Sequence, residues 1–265
     1  MSSRKVALVT AGSAGLGAAI AKVLALDLGM SVTINYSNNA TRAEALVAKF
    51  REAHASRPVK DGLDMPVFRA IKADIFSKDE IRRLVSETTD ASGGRLDVVI
   101  SNAGWTQIRN FSDLDDGIFE DDWDRCYNSN VKSHLWLFHA ARKHLEEANE
   151  REKGSAVFVS TASIAGVKPS GSSLPYAVSK AAQIHLMKSL ASICAPSIRV
   201  NSVSPGLLLT EWGLSFPPEK IAEAKETNKL KTIATVEDVA EHVRAFVVSN
   251  SVTGQNSIID AGLSL

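Results

Sequence analysis

Only two cysteines, Cys126 and Cys194, occur in 265 residues, and they lack CxxC spacing. Neither a disulfide framework nor a zinc site is indicated, and a reducing compartment fits best. Net charge is missing too: 30 Lys and Arg balance 30 Asp and Glu, with no long basic block. Nothing supplies the phosphate-neutralising patch of a nucleic-acid binder, so no nucleic-acid partner is expected. No apolar run approaches the ~20 residues of a spanning helix, so no membrane segment is expected either. Met1 to Lys5 leads into an apolar stretch too short for a signal peptide, and Leu263-Ser264-Leu265 lacks the basic middle residue of a peroxisomal address. A cytoplasmic location follows as the expectation.

What is present is an ordinary globular composition, 45% hydrophobic and 23% charged, in a chain long enough to bury an ample core. Short β-branched runs alternate with longer helical patterns: residues 5–10, 31–36, 67–72, 96–101, 155–160, 198–203 and 257–260. Most are apolar on both faces, as in parallel strands covered by helices on each side. Ser77 with Glu80 and Thr235 with Asp238 have capping-box spacing, and Gly29 and Pro196 stand where helices should stop. The expected fold is α/β: a doubly wound, seven-stranded parallel sheet of the Rossmann type, one domain over residues 1–265. Its main irregular stretch, residues 207–231, has the length of a lid over a site.

The first strand runs into Ala11-Gly12-Ser13-Ala14-Gly15-Leu16-Gly17 and then a helix of small residues. Glycines at a strand-to-helix turn let the backbone approach a pyrophosphate, whose charge is stabilised by free amides and the helix dipole. A tight turn without a ligand is the plainer reading, but the first βα turn of such a sheet is where dinucleotides bind. Selectivity between the two nicotinamide cofactors turns on the end of the second strand, ~20 residues on, where an acid pairs with the ribose of NAD. Here stands Tyr36-Ser37-Asn38-Asn39, with no carboxylate to repel a 2′-phosphate and no Arg or Lys at the strand end. NADP is the expected cofactor, with NAD possible.

Tyr176 and Lys180, four residues apart, share one helix face. Alone the pair means little. Ser163 lies thirteen residues before Tyr176, just past a strand end; Asn102-Ala103-Gly104 follows the fourth strand, Asn130 stands in the helix after it, Asp74 follows the third strand, and Pro205-Gly206 leads to Thr210. In these motifs and their order the chain resembles the short-chain dehydrogenase/reductase family over nearly its whole length. That family's TGxxxGxG turn is matched by Thr10, Gly15 and Gly17, with Ala11 in place of the first glycine and Gly12 beside it. Its NNAG element reads Ser101-Asn102-Ala103-Gly104, so a serine replaces the first asparagine, which should loosen a structural hydrogen bond.

The resemblance implies a catalytic tetrad of Asn130, Ser163, Tyr176 and Lys180. It further implies a cofactor held by Gly12, Ser13, Gly15, Leu16 and Gly17, by Tyr36, Ser37, Asn38, Asp74 and Ile75 at the adenosine end, by Asn102, Ala103 and Gly104, and by Tyr176, Lys180, Pro205, Gly206, Leu208 and Thr210 near the nicotinamide. Helices around Asn130 and Tyr176 would make a homodimer or homotetramer. Reduction of a carbonyl needs a proton donor, and a phenol of pKa near ~10 is too weak an acid at neutral pH. One ammonium at ~4 Å and an effective dielectric of ~20 supplies about 4 kcal/mol, or roughly three pKa units, so Lys180 suffices in principle. Tyr176 would be the general acid, Ser163 would bind the substrate oxygen, and Asn130 would hold a water leading to Lys180.

Seven acids crowd residues 113–124, but Gly117 falls one place too early for a calcium loop, and His134, His139 and His144 turn to different helix faces. No metal is expected. Cys126 and Cys194 read as small buried side chains. Trp105, residues 167–175 and residues 207–218 are mostly apolar, which suggests a fairly hydrophobic ketone or aldehyde; the plainer reading is that Trp105, Trp212 and Phe216 pack the lid. The expected activity is that of an NADPH-dependent carbonyl reductase. A non-catalytic NADP-binding sensor or scaffold is the alternative, disfavoured because it needs no proton donor beside a charge; an epimerase or dehydratase usually needs a larger region after Gly206.

Overall fold

The computed structural model describes residues 4–56 and 64–265; the first three residues of the N-terminal segment considered above lie outside that range. Each β-branched run forms a strand: β1 (Val6–Val9), β2 (Ser31–Tyr36), β3 (Phe68–Lys72), β4 (Val98–Ser101), β5 (Val157–Thr161), β6 (Arg199–Pro205) and β7 (Asn256–Ile259). All pair in parallel, in the order β3-β2-β1-β4-β5-β6-β7. The helices between them are α1 (Gly15–Lys22), α2 (Ala40–Ala55), α3 (Lys78–Asp90), α4 (Glu120–Tyr127), α5 (Ser133–Arg151), α6 (Leu174–Cys194), α7 (Pro218–Thr227) and α8 (Val236–Val248).

Alternation along each strand divides the core between the two faces. Ala7, Val9, Val98 and Ile100 face α1, α2 and α8, where Ile20, Leu24, Val47 and Val243 cover them. Val6, Leu8 and Val99 face α3, α5 and α6, against Leu84, Leu137 and Met187. Edge strand β3 departs from the two-sided apolar pattern, because Arg69 and Lys72 point to solvent. Thr235 and Asp238 make the full reciprocal capping box, whereas Ser77 supplies its serine half, accepting from the Glu80 amide. Residues 207–231 are less irregular than expected: Pro218 opens the ten-residue α7, since proline suits a first helical turn, where its missing N–H is not needed.

Beneath the sheet, Asp97 is fully buried and accepts from the Val6 amide at 2.8 Å and from Arg95 at 2.7 and 2.9 Å. It joins the start of β1 to the start of β4, the pair whose far ends open into the site. Removing one partner of a buried ion pair costs about 3 kcal/mol or more. Asp97→Ala is therefore expected to lower the urea midpoint clearly, and an unchanged midpoint would show that the pair contributes nothing.

Candidate active site

Strand order reverses beside β1, so crossovers leave β1 and β4 toward opposite faces and their carboxyl ends part. A cleft of about 660 Å³ opens there, within the usual range for small-molecule sites. The Thr10 hydroxyl fixes its floor, accepting from the amides of Asn102 at 2.9 Å and Ala103 at 3.3 Å.

One end of the cleft is the turn into α1. Ser13, Gly15 and Leu16 line it. Ala14 caps the helix with no side-chain acceptor, and the first turn carries no acid, so its amides face the cleft with the positive end of the dipole behind them. These residues fit a dinucleotide pyrophosphate. Gly12 and Gly17 serve the same turn from beneath: a Cβ on Gly12 would meet Ile34 at 2.8 Å, and one on Gly17 would meet the Ala11 carbonyl at 2.2 Å. Ala11 takes φ +48°, the left-handed conformation that favours glycine. Asn35, which the sequence reading missed, holds it there: its side-chain oxygen accepts from the Ala11 amide at 3.1 Å, while its Nδ2 donates to Ala73 at 2.9 Å.

Next along the cleft come Tyr36, Ser37, Asp74 and Ile75, with Asn102, Ala103 and Gly104 opposite. Asn38 lies in an adjoining hollow with Lys72 and Arg83 instead. The wall also contains Arg42, where no basic residue was expected. Asn39 caps α2 by accepting from the Arg42 amide, and the Arg42 guanidinium reaches both oxygens of Glu211 at 2.6 and 2.8 Å. The available signal was the N-cap asparagine three residues before an arginine, which places that arginine in a first helical turn beside the strand end.

At the far end stand Thr161, Ser163, Tyr176, Pro205, Gly206 and Leu208, with Trp212 and Phe216 from residues 207–231, while Thr210 reaches back to the α1 turn, where a Cβ on Gly15 would meet it at 3.0 Å. Tyr176 is fixed in the first turn of α6, where its amide donates to the Ser173 cap. Trp212 packs edge-on against its ring, with centroids 5.8 Å apart. Lys180 lies one turn on, its Nζ 5.7 Å from that ring and donating to the Thr161 carbonyl at 3.0 Å. Burial sets both ionisations: it pushes the phenol well above its ordinary value, against a hydrogen bond from Ser163, and pushes the ammonium down to about 7. The lowering of Tyr176 expected from Lys180 does not enter: the phenol answers to burial and to Ser163, and the simple charge arithmetic left out the desolvation of both groups.

Asn130 occupies a π-helical turn, Asn128–Lys132, between α4 and α5. Its Nδ2 donates to the Trp105 carbonyl at 2.9 Å and to Ser179 at 3.0 Å, and its Oδ1 accepts from the Trp105 amide at 2.8 Å. Both amide protons are spent on protein partners, so the side chain clamps the loop after β4. Trp105 itself packs under the cleft with Cys126, Ala165 and Ala177 rather than lining it. Asp122 and Asp116 of the acidic stretch hold Arg109, at 2.9 and 3.5 Å. Burial pushes the Cys126 thiol up to about 11. Ser101 has not lost its hydrogen bond, for its hydroxyl lies 2.6 Å from Nδ1 of buried His134.

The short chain dehydrogenase family matches residues 5–220. A Streptomyces violaceoruber protein named for the second ketoacyl reductase of granaticin polyketide synthase is 34% identical, over 98% of this chain and 96% of its own. Among solved structures, a Burkholderia cenocepacia short chain dehydrogenase in complex with NADP superposes with a TM-score of 0.84 at 31% identity, covering 98% of each chain. An NADH-dependent reductase of alginate metabolism superposes with a TM-score of 0.83 at 27% identity, covering 98% and 97%.

The strained residue at the head of the turn can be tested directly. Left-handed backbone costs a residue with a Cβ about 1 kcal/mol. Ala11→Gly is expected to raise Tm by roughly 2–4 °C without weakening dinucleotide binding; a lowered Tm would show that the turn does not strain Ala11.

Proposed function

Because the chain belongs to the short-chain dehydrogenase/reductase family, we propose that it is an NADP(H)-dependent carbonyl reductase acting on a fairly hydrophobic small molecule. One observation carries this reading: Ser163 and Tyr176, with Lys180 behind them, meet at one end of a single cleft whose other end is the uncapped turn of α1. The bound nicotinamide would supply or accept a hydride.

The rest of the chemistry falls to side chains of this chain. Ser163 binds the substrate oxygen and stabilises charge as it develops there. Tyr176 delivers the proton; burial makes its phenol a weaker acid than a free tyrosine, so transfer depends on the basicity of the alkoxide that develops on the substrate and on the hydrogen bond from Ser163. The Lys180 ammonium offsets the negative charge that remains on the phenol oxygen after transfer. Arg42 supports NADP, because one of its guanidinium nitrogens already holds both oxygens of a carboxylate at the cleft wall, and the same group can hold the oxygens of a 2′-phosphate. Ile164, Ala165, Leu207, Leu208, Trp212 and Phe216 give the chemical end its apolar walls, and residues 207–231 act as the lid.

Two measurements test the proposal. Tyr176→Phe should lower kcat by about 10²–10⁴-fold while NADPH still binds, as followed by nucleotide fluorescence; undiminished turnover would leave the scaffold reading in its place. Arg42→Gln should raise KM for NADPH by roughly tenfold, the loss of one charge-assisted pair, with KM for NADH unmoved. An equal effect on both cofactors would remove Arg42 from phosphate recognition.

A further inference from the structure

The Lys180 ammonium is only 3% exposed, and its nearest titratable neighbours carry no negative charge. Tyr176 on its own helix and Cys126 on α4 are both held protonated by burial, and His134 at the start of α5 is held neutral by burial and by Lys180 itself. Among the described residues no carboxylate forms an ion pair with Lys180. A charge so placed depends on neutral acceptors. It has two: the Thr161 carbonyl and, at 2.9 Å, the side-chain oxygen of Gln183, one turn further along α6.

We propose that Gln183 is the positioning residue for Lys180: its carbonyl, aimed by a buried chain through Ser160, His134 and Ser101, keeps the ammonium charged and turned toward the cleft. The chain fixes which way the amide points. Gln183 Nε2 donates to the Thr161 carbonyl at 3.0 Å and to the Ser160 hydroxyl. Ser160 and Ser101 both face Nδ1 of His134, at 3.4 and 2.6 Å. Because Gln183 Nε2 donates to it, the Ser160 oxygen acts as acceptor toward the amide and leaves only its own O–H to turn toward the imidazole, whose single Nδ1 position it shares with Ser101. A flipped Gln183 would set N–H groups against the ammonium and lose Ser160. With two of its three protons held, Lys180 keeps the third for the cleft side, where Gly104 has no side chain and a Cβ would stand 3.4 Å from Nζ. Gln183, Ser160, His134 and Ser101 are all nearly inaccessible, so the chain has no water to replace a missing member.

The charge on Lys180 can be read without cofactor or substrate. In protein carrying ¹³Cε-lysine, with the Lys180 signal assigned by its loss in Lys180→Met, the titration midpoint is measured by NMR. Gln183→Leu should lower that midpoint by about one to two pH units, the worth of a hydrogen bond to a charged group. Gln183→Glu, nearly isosteric and the arm that carries the test if the leucine variant does not fold, should raise it by at least as much. Ser160→Ala, which frees the amide to turn, should lower it by less. Midpoints unmoved in the Gln183 variants would overturn the proposal, and an unmoved midpoint in Ser160→Ala would overturn the aiming role of the chain. The consequence for turnover rests on the reading of Tyr176 and Lys180 given above. If the midpoints move but the pH profile of kcat does not follow, Gln183 positions Lys180 as stated and the acid–base reading of the pair falls.

Discussion

A buried ammonium is the constraint around which this site is arranged. Taking a lysine out of water costs several kcal/mol unless the protein returns what the water supplied. Here the return comes from a strand-end carbonyl and an amide side chain, Thr161 and Gln183, both of which exist only because α6 lies across the end of β5. The direction of α6 is set in turn by its first residues, where Ser173 caps the helix and Pro175 stands in the first turn. The same cap places the Tyr176 amide, so one local motif fixes phenol and ammonium together. Their separation follows from helix geometry, and their burial from how far α6 sinks against β5 and β6.

The opposite end of the cleft solves a related problem with backbone. There the positive potential comes from uncapped amides at the start of α1. In a chain of zero formal charge, with Arg42 paired to Glu211, the uncapped start of α1 is the positive pole at this end of the crevice. Such an arrangement concentrates anionic ligands without requiring a basic protein. Asn35 is the mechanical counterpart: it ties the Ala11 turn to the loop after β3, so three strand ends move as one body and the strain at Ala11 is held in place.

Much of this was legible because it is local. Two-sided apolar runs fixed seven parallel strands to within a residue or two, since a strand buried on both faces has few polar positions to blur its ends. Gly12 and Gly17 were expected to hold the cofactor, yet neither lines the cleft: they stand beneath the turn, close against Ile34 and the Ala11 carbonyl, an approach that residue spacing does not reveal. Arg42, Asn35 and Gln183 escaped notice, and His134 was weighed only as a metal ligand, because the partners that orient them are distant in sequence: Glu211 for Arg42, Ala73 for Asn35, Ser160 for Gln183 and Ser101 for His134. Trp105 was misplaced for the opposite reason. An aromatic after a strand end can point into the cleft or under it, and only Asn130, clasping the Trp105 backbone from another helix, decides for the underside.

Desolvation also links Tyr176 and Lys180 to residues 207–231. The same exclusion of water that raises the Tyr176 phenol lowers the Lys180 ammonium, so the two ionisations respond together to anything that wets the site. Trp212, edge-on against Tyr176 yet itself about half exposed, is the side chain of residues 207–231 that packs directly on the phenol ring. An apolar substrate filling that end of the cleft would keep the phenol dry as Trp212 does, whereas a well-hydrated polyol would bring its water with it and return both groups toward their ordinary values. Under the proposed function, substrate hydrophobicity and proton transfer would therefore not be separate properties of this cleft: the apolar wall that would select the molecule also keeps Tyr176 and Lys180 in their desolvated state.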